Sequence, residues 1–277
     1  MKQQSILKSA PAPGRRKLAL TLAATITLLV TLVCATVPIT GRRQLSLVDE
    51  QELNSLAAGE YRKVISQSRL ENHTARGQTV IRVGRRIQAA VERYFREEGE
   101  SDYLQHYAWE FNVIADSKTA NAWCMPGGKV AFYTGILPIT ADEKGVAVVM
   151  GHEIAHAIAN HGNERMSQQA GLAKVTSIFG AGGQGIFQNL FGLAANVGVI
   201  LPFSRANESE ADRMGLIFMS MAGYDPDEAP RFWERMKKYT EGAGSPPQFL
   251  STHPSHETRI KNLKEWIPEA RKYYRPN

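Results

Sequence analysis

Apolar and polar positions follow different rhythms along this chain. Leu18 to Val37 has none: it is 20 consecutive residues without a charge. As a helix rising about 1.5 Å per residue, that run matches the roughly 30 Å apolar core of a bilayer. Asp49–Gln67 then carries Leu53, Leu56, Ala57, Val64 and Ile65 at helical spacing. Gln78–Glu97 does the same with Ile81, Ile87, Ala90, Val91, Tyr94 and Phe95. Both predict amphipathic helices. The rhythm next shortens. Tyr107–Ile114 alternates loosely, and Ala122–Met125 and Lys129–Tyr133 flank Pro126-Gly127-Gly128, which predicts a small antiparallel sheet. From Thr140 the pattern is helical almost to the end, with breaks near Leu201-Pro202, Gly223–Pro226 and Gly242–Pro247. Ile186–Leu201 is apolar but shorter than a span and interrupted by Gln188, Asn189 and Asn196; it predicts a covering hairpin, a lid or a membrane contact. The fold class is α+β, mostly helical, preceded by one N-terminal membrane helix.

Charge changes the reading of the N-terminus more than that of the domain. The 277-residue chain is 43% hydrophobic and 22% charged, which excludes a disordered polymer, and its net charge is +6. Seven of its 33 basic residues and none of its 27 acids lie in residues 1–43, so the remainder is close to neutral. A nucleic-acid partner loses its main support. Five basic residues precede the apolar run, so residues 1–17 are expected as a cytosolic tail and residues 44–277 as a domain on the far side of the membrane. An uncleaved anchor is the first expectation for residues 18–37; cleavage near Val33-Cys34-Ala35 and lipidation of Cys34 are the alternatives. The arginines of the second helix (Arg82, Arg85, Arg86, Arg93 and Arg96) are expected to form a solvated face.

Chemistry concentrates in Glu143–His161, a helix apolar nearly all round and therefore buried, which contains His152-Glu153-Ile154-Ala155-His156. The i, i+4 spacing sets both imidazoles one turn apart on one face, within reach of one metal ion. Glu153 beside them suits a general base that takes a proton from an activated water. Zinc then needs a third protein ligand. A histidine supplied by the pattern with Gly at 159 and His at 162 is ruled out, because Ala159 and Gly162 stand there, even though His161 is nearby. A carboxylate from a second helix after Pro202 remains, and Glu208 and Asp212 are i, i+4 neighbours there: one would ligate, the other would orient a ligand histidine. Glu210 is expected to point elsewhere, as a solvated residue or ion-pair partner, and Glu210→Gln to leave the metal in place.

His152–His156, Glu208-x-x-Ala211-Asp212 and Thr252-His253-Pro254 together resemble metallopeptidase family 48, the gluzincins that include CAAX-prenyl endopeptidases and bacterial envelope proteases. Asn121–Gly128, Tyr133–Leu137 and Gly223–Pro226 extend the resemblance over residues 45–265. The single hydrophobic run places the chain nearer the soluble envelope branch than the multi-span ones. The resemblance implies one zinc ion held by His152, His156 and Glu208, Glu153 as base, and Asp212 behind a ligand. It also implies that His253 lies near the metal, as a resting ligand or oxyanion partner. Arg259 is a weaker oxyanion candidate, and Asn121 and Ala122 are candidate substrate contacts at a strand edge. The implied role is hydrolysis of unfolded or misassembled proteins in a bacterial envelope, on the periplasmic side, with a zinc-stabilised chaperone or assembly factor as the alternative.

Overall fold

The computed structural model describes residues 34–168, 203–242, 246–254 and 258–276. The expectations for residues 1–33 and for Ile186–Leu201 lie outside them. The first described residues form a strand. β1 (Cys34–Thr36) pairs antiparallel with β2 (Arg43–Leu45), Cys34 opposite Leu45 and Thr36 opposite Arg43. This corrects the far end of the apolar run, where the predicted helix continued to Val37: Thr36 and Val37 are β-branched, and Pro38 donates no N–H. Among the described residues no helix is long and apolar enough to cross a membrane.

α1 (Glu50–Gln67) starts at Asp49, whose side chain accepts the Glu52 N–H. Its buried stripe is Leu53, Ala57 and Tyr61, an i, i+4, i+8 line that leaves the predicted core residue Leu56 44% exposed. α2 (Ala75–Glu97) begins earlier than the periodicity indicated, because the Thr74 hydroxyl caps it through the Gly77 N–H. Its arginines are not simply solvated. Arg86 and Arg93 donate to the carbonyls of Ala222 and Met221, each at 3.0 Å, and Arg82 pairs with Glu143 at 2.7 Å. The cations thereby satisfy acceptors at the C-terminal end of a later helix.

The sheet departs from expectation. β3 (Glu110–Ile114), β4 (Ala122–Met125) and β5 (Lys129–Tyr133) lie in the order β3-β5-β4, with β3 parallel to β5 and only β4 antiparallel to it. The sheet is mixed. The hairpin turn, with Gly127 and Gly128 at φ 76° and 79°, folds β5 back between its partners. β4 is consequently an edge strand among the described residues.

A short helix α3 (Leu137–Thr140) leads into α4 (Glu143–Ile158), capped by the Asp142 carboxylate at the Lys144 and Gly145 N–H groups. Every residue from Gly145 to Ile158 is buried. α4 ends sooner than predicted because Asn160 adopts φ 54°, a left-handed stop that asparagine tolerates. The tyrosyl hydroxyls of Tyr103 and Tyr107 donate to the Ile158 and Ala157 carbonyls at 2.6 and 2.9 Å, occupying acceptors the helix end leaves free.

α5 (Arg205–Met221) crosses α4 where Gly151 faces Gly215: a Cβ on Gly215 would lie 2.8 Å from the His152 nitrogen. Ser204 caps α5, accepting the Asn207 N–H at 3.1 Å. Ser204→Ala is expected to cost about 1 kcal/mol of folding stability, read as a lower urea midpoint with an unchanged denaturant slope. α6 (Glu228–Gly242), α7 (Gln248–Thr252) and α8 (Arg259–Ala270) complete the core. α7 is pinned to the strand layer by the Phe249 N–H on the Ala120 carbonyl at 3.0 Å, which fixes the residue after it, His253.

Candidate metal centre

Four elements converge on one buried point. α4 supplies His152 and His156, α5 supplies Glu208 and Asp212, the end of α7 supplies His253, and the start of α8 supplies Arg259. None of these side chains is more than 5% exposed. Nε2 of His152 and Nε2 of His156 are 3.1 Å apart, and His253 Nδ1 is 3.2 Å from the former. Glu208 Oε1 lies 3.0 Å from His253 Nδ1 and 3.3 Å from His156 Nε2, and its Oε2 is 3.5 Å from His152 Nε2.

Those separations decide what the cluster can hold. Ligands about 2.0–2.1 Å from a tetrahedral zinc ion are about 3.3 Å from one another. Lone-pair atoms crowded at 3.0–3.5 Å in an apolar interior repel unless a cation or proton lies between them. Glu208 Oε2 and Glu153 Oε1 are buried without a hydrogen-bond partner. The donors His152, His156, Glu208 and His253 therefore fit a divalent cation.

A model of the family described as Peptidase family M48 matches residues 82–267. The chain belongs to that family. It is 36% identical over 234 residues to the mitochondrial metalloendopeptidase OMA1 of Schizosaccharomyces pombe, covering 84% of this chain and 66% of that one. The human mitochondrial metalloendopeptidase OMA1 is 28% identical, over 85% of this chain and 46% of its own. A putative beta-barrel assembly-enhancing protease of Vibrio cholerae is 33% identical, over 59% of this chain and 35% of its own. The chain thus spans less than two thirds of each relative's length. Its buried cluster of His152, His156, Glu208 and His253 could hold a metal ion.

Within that centre the carboxylates divide their work. Asp212 Oδ1 accepts from Nδ1 of His152 at 2.9 Å, which leaves His152 Nε2 deprotonated and facing the cluster. Asp212 also receives Nη2 of Arg259 at 2.7 Å. Burial pushes its carboxyl up, but Arg259 and His152 outweigh that and hold it down. Glu208 is held well below the carboxylate range in the same way: burial raises it, and His253 and His156 more than compensate. Burial pushes the Glu153 carboxyl up despite the opposing pull of His253 and His152. His253 Nε2 is 3.4 Å from Glu153 Oε1.

Arg259 is buried against both carboxylates. Its Nη1 is 3.2 Å from Glu208 Oε2, and its guanidinium lies 3.5 Å from the Trp233 ring centre. Asn121 and Ala122 are buried, and Asn121 Oδ1 accepts the Ala122 N–H at 3.0 Å. The Cys124 backbone lies close to Glu153, and its N–H helps to lower that carboxyl. The edge strand and the base are adjacent. Burial and Glu153 raise the Cys124 thiol well above its usual range, which makes it a neutral packing group.

Several residues at the centre were given no role there by the sequence. Phe203 stacks on His156 with ring centres 4.1 Å apart. His161, which follows the Asn160 turn, meets His156 Nδ1 at 2.9 Å. Glu210 is not solvated: it is 7% exposed, and it pairs with His161 at 2.9 Å and Arg42 at 2.6 Å. A histidine just past a left-handed helix stop was the available clue, since such a stop folds the chain back over the last turn.

Proposed function

We propose that the chain is a zinc-dependent endopeptidase that hydrolyses peptide bonds in unfolded or misassembled proteins of a bacterial envelope. On this reading one zinc ion per chain is held by His152, His156 and Glu208, and the apolar run of residues 18–33 keeps the domain at the periplasmic face of the inner membrane. The single observation carrying it is the 3.0–3.5 Å spacing of the lone-pair atoms, which matches a tetrahedral zinc site. Zinc supplies Lewis acidity, activating a water molecule and polarising the peptide carbonyl. Glu153 removes the proton of the attacking water and hands it to the leaving amine. Asp212 holds His152 in its ligating tautomer, and Arg259 holds Asp212 and Glu208 in place. An extended substrate adds to the free edge of β4, recognised through backbone hydrogen bonds beside Glu153. A folded protein has no free strand to offer there, which supports unfolded chains as substrates. Relatives named for beta-barrel assembly support envelope proteins as the class.

A second reading has its own observation. His253 Nδ1 stands in the fourth corner, so the ligand set is closed, as in a zinc-stabilised chaperone. Glu153→Gln separates the two. In the zinc-loaded full chain it is expected to reduce cleavage of casein by a factor of about 10²–10⁴ while zinc content stays at one per chain. Undiminished cleavage by that variant would remove Glu153 from the reaction; no cleavage by the unaltered chain, with zinc bound, would favour the closed-site reading.

A further inference from the structure

The metal centre has a support that comes from outside the catalytic elements. The turn joining β1 to β2 is closed by the Val37 N–H on the Arg42 carbonyl at 2.8 Å and the Gly41 N–H on the Val37 carbonyl at 3.0 Å. Val37 is 1% exposed, and Ile39 packs on the main core. Ile39 is held at φ 68°, a left-handed conformation that a β-branched residue adopts only when its surroundings impose it. The result aims two polar side chains inward. The Thr40 hydroxyl donates to Glu210 Oε1, and Arg42 Nε donates to Glu210 Oε2 at 2.6 Å. The outer nitrogens of Arg42 fork onto Glu164 at 2.8 and 2.7 Å, and Glu164 also accepts from Asn207 at 2.8 Å.

From Glu210 the chain of contacts continues to the metal. Its Oε2 is 2.9 Å from His161 Nε2, and His161 Nδ1 is 2.9 Å from His156 Nδ1. One proton arrangement satisfies every member. A carboxylate only accepts, so His161 carries its proton on Nε2 and presents a bare Nδ1. His156 must then carry its own proton on Nδ1, which leaves Nε2 bare and directed at the cluster. Asp212 imposes the same tautomer on His152 by direct contact; His156 receives it at one remove.

We propose that Arg42 is a positioning residue for the metal centre. Through Glu210 and His161 it holds His156 in its ligating tautomer and orientation, so the β1–β2 hairpin sets how firmly the metal is retained. This rests on the reading of His156 as a zinc ligand. The hairpin directly follows the apolar run of residues 18–33, so whatever holds that run is joined to the ligand set through three side chains.

The test uses zinc-loaded full chain and follows zinc transfer to a chromogenic chelator. Arg42→Gln is expected to speed release by about 10- to 100-fold, the usual effect of removing a partner behind a metal ligand. Thr40→Val, which unpairs no charge, should act in the same direction to a smaller degree. In a His161→Gln background Arg42→Gln should add less than about twofold, because its route to His156 is already cut. Thermal unfolding of the metal-free forms separates simple loss of stability, which would be the same in both backgrounds. Equal acceleration with and without His161 overturns the proposal, as does wild-type release from Thr40→Val should Arg42→Gln fail to fold. An unaltered chain that takes up no stoichiometric zinc refutes the zinc site itself, a distinct result from a filled site that ignores Arg42.

Discussion

On the proposed reading, Glu208→Gln is expected to abolish zinc binding and, with it, cleavage of casein. The Glu208 carboxylate is 0% exposed and touches His152, His156, His253 and Arg259 within 3.5 Å. Among the described residues it is the only anion in the candidate ligand set. A neutral amide of the same shape keeps the packing but leaves a dication among three imidazoles, with the Arg259 guanidinium close by and uncompensated by a ligating carboxylate. In a buried site that repulsion has little solvent to screen it. Metal analysis of protein purified in zinc-containing buffer should find well under a tenth of a zinc per chain, with near-native far-ultraviolet circular dichroism. The contrast is Glu210→Gln. Glu210 anchors His161 rather than the metal, so that variant should keep most of its zinc at saturation and show only faster release. This keeps the expectation, drawn from the sequence, that Glu210→Gln leaves the metal in place, and Glu210 takes the ion-pair alternative of that reading. Zinc lost from Glu210→Gln and kept by Glu208→Gln would mean that the ligand carboxylate has been misassigned.

The residues readable from the sequence are those whose partners lie within one helical turn. His152, Glu153 and His156 needed only the i, i+4 geometry of an apolar helix, and Asp49, Thr74 and Ser204 mark helix starts by ordinary capping chemistry. Glu208 and Asp212 were legible as a pair but not as individuals. Which of two carboxylates one turn apart meets Nε2 and which meets Nδ1 depends on how α5 is rotated against α4, and resemblance to a family had to supply that choice. Strand order was hidden for a similar reason: alternation shows that Glu110–Ile114 is a strand, but not that β5 inserts between it and β4. Arg259 entered as a weaker oxyanion candidate beside the family resemblance; its ion pair with Asp212 is a property of the packing of α8 and has no periodic signal. Arg42 was counted among the charges flanking an apolar run. Its contact with residues more than a hundred positions away leaves no periodic trace.

Gly215→Val should dismantle the centre without touching any side chain in it. The α4–α5 crossing that brings Glu208 and Asp212 to His152 and His156 has no room for a Cβ at its closest point. One on Gly215 would lie 2.8 Å from the His152 nitrogen and 3.0 Å from the Gly151 carbonyl carbon, and one on Gly151 would lie 2.7 Å from the Gly215 carbonyl oxygen. These are backbone atoms inside two helices, so relief comes only by pushing the helices apart. Metal sites tolerate ligand displacements of about 0.2 Å, and a separation of even half an ångström exceeds that. Gly215→Ala is therefore expected to keep the fold at a cost of about 1–3 kcal/mol while zinc affinity falls at least tenfold. Gly215→Val, with two further methyl groups at the crossing, should retain no zinc. Gly59→Ala is the control: it lies on α1 with nothing within 4 Å of the new Cβ, and helix propensity alone should make it neutral or stabilising by about 0.5–1 kcal/mol. Titration with a competing chelator, alongside denaturant melts of the metal-free proteins, reads both quantities. Wild-type zinc affinity in Gly215→Ala would show that the crossing is softer than its backbone contacts indicate, and that the ligand geometry is set by α7 and α8 instead.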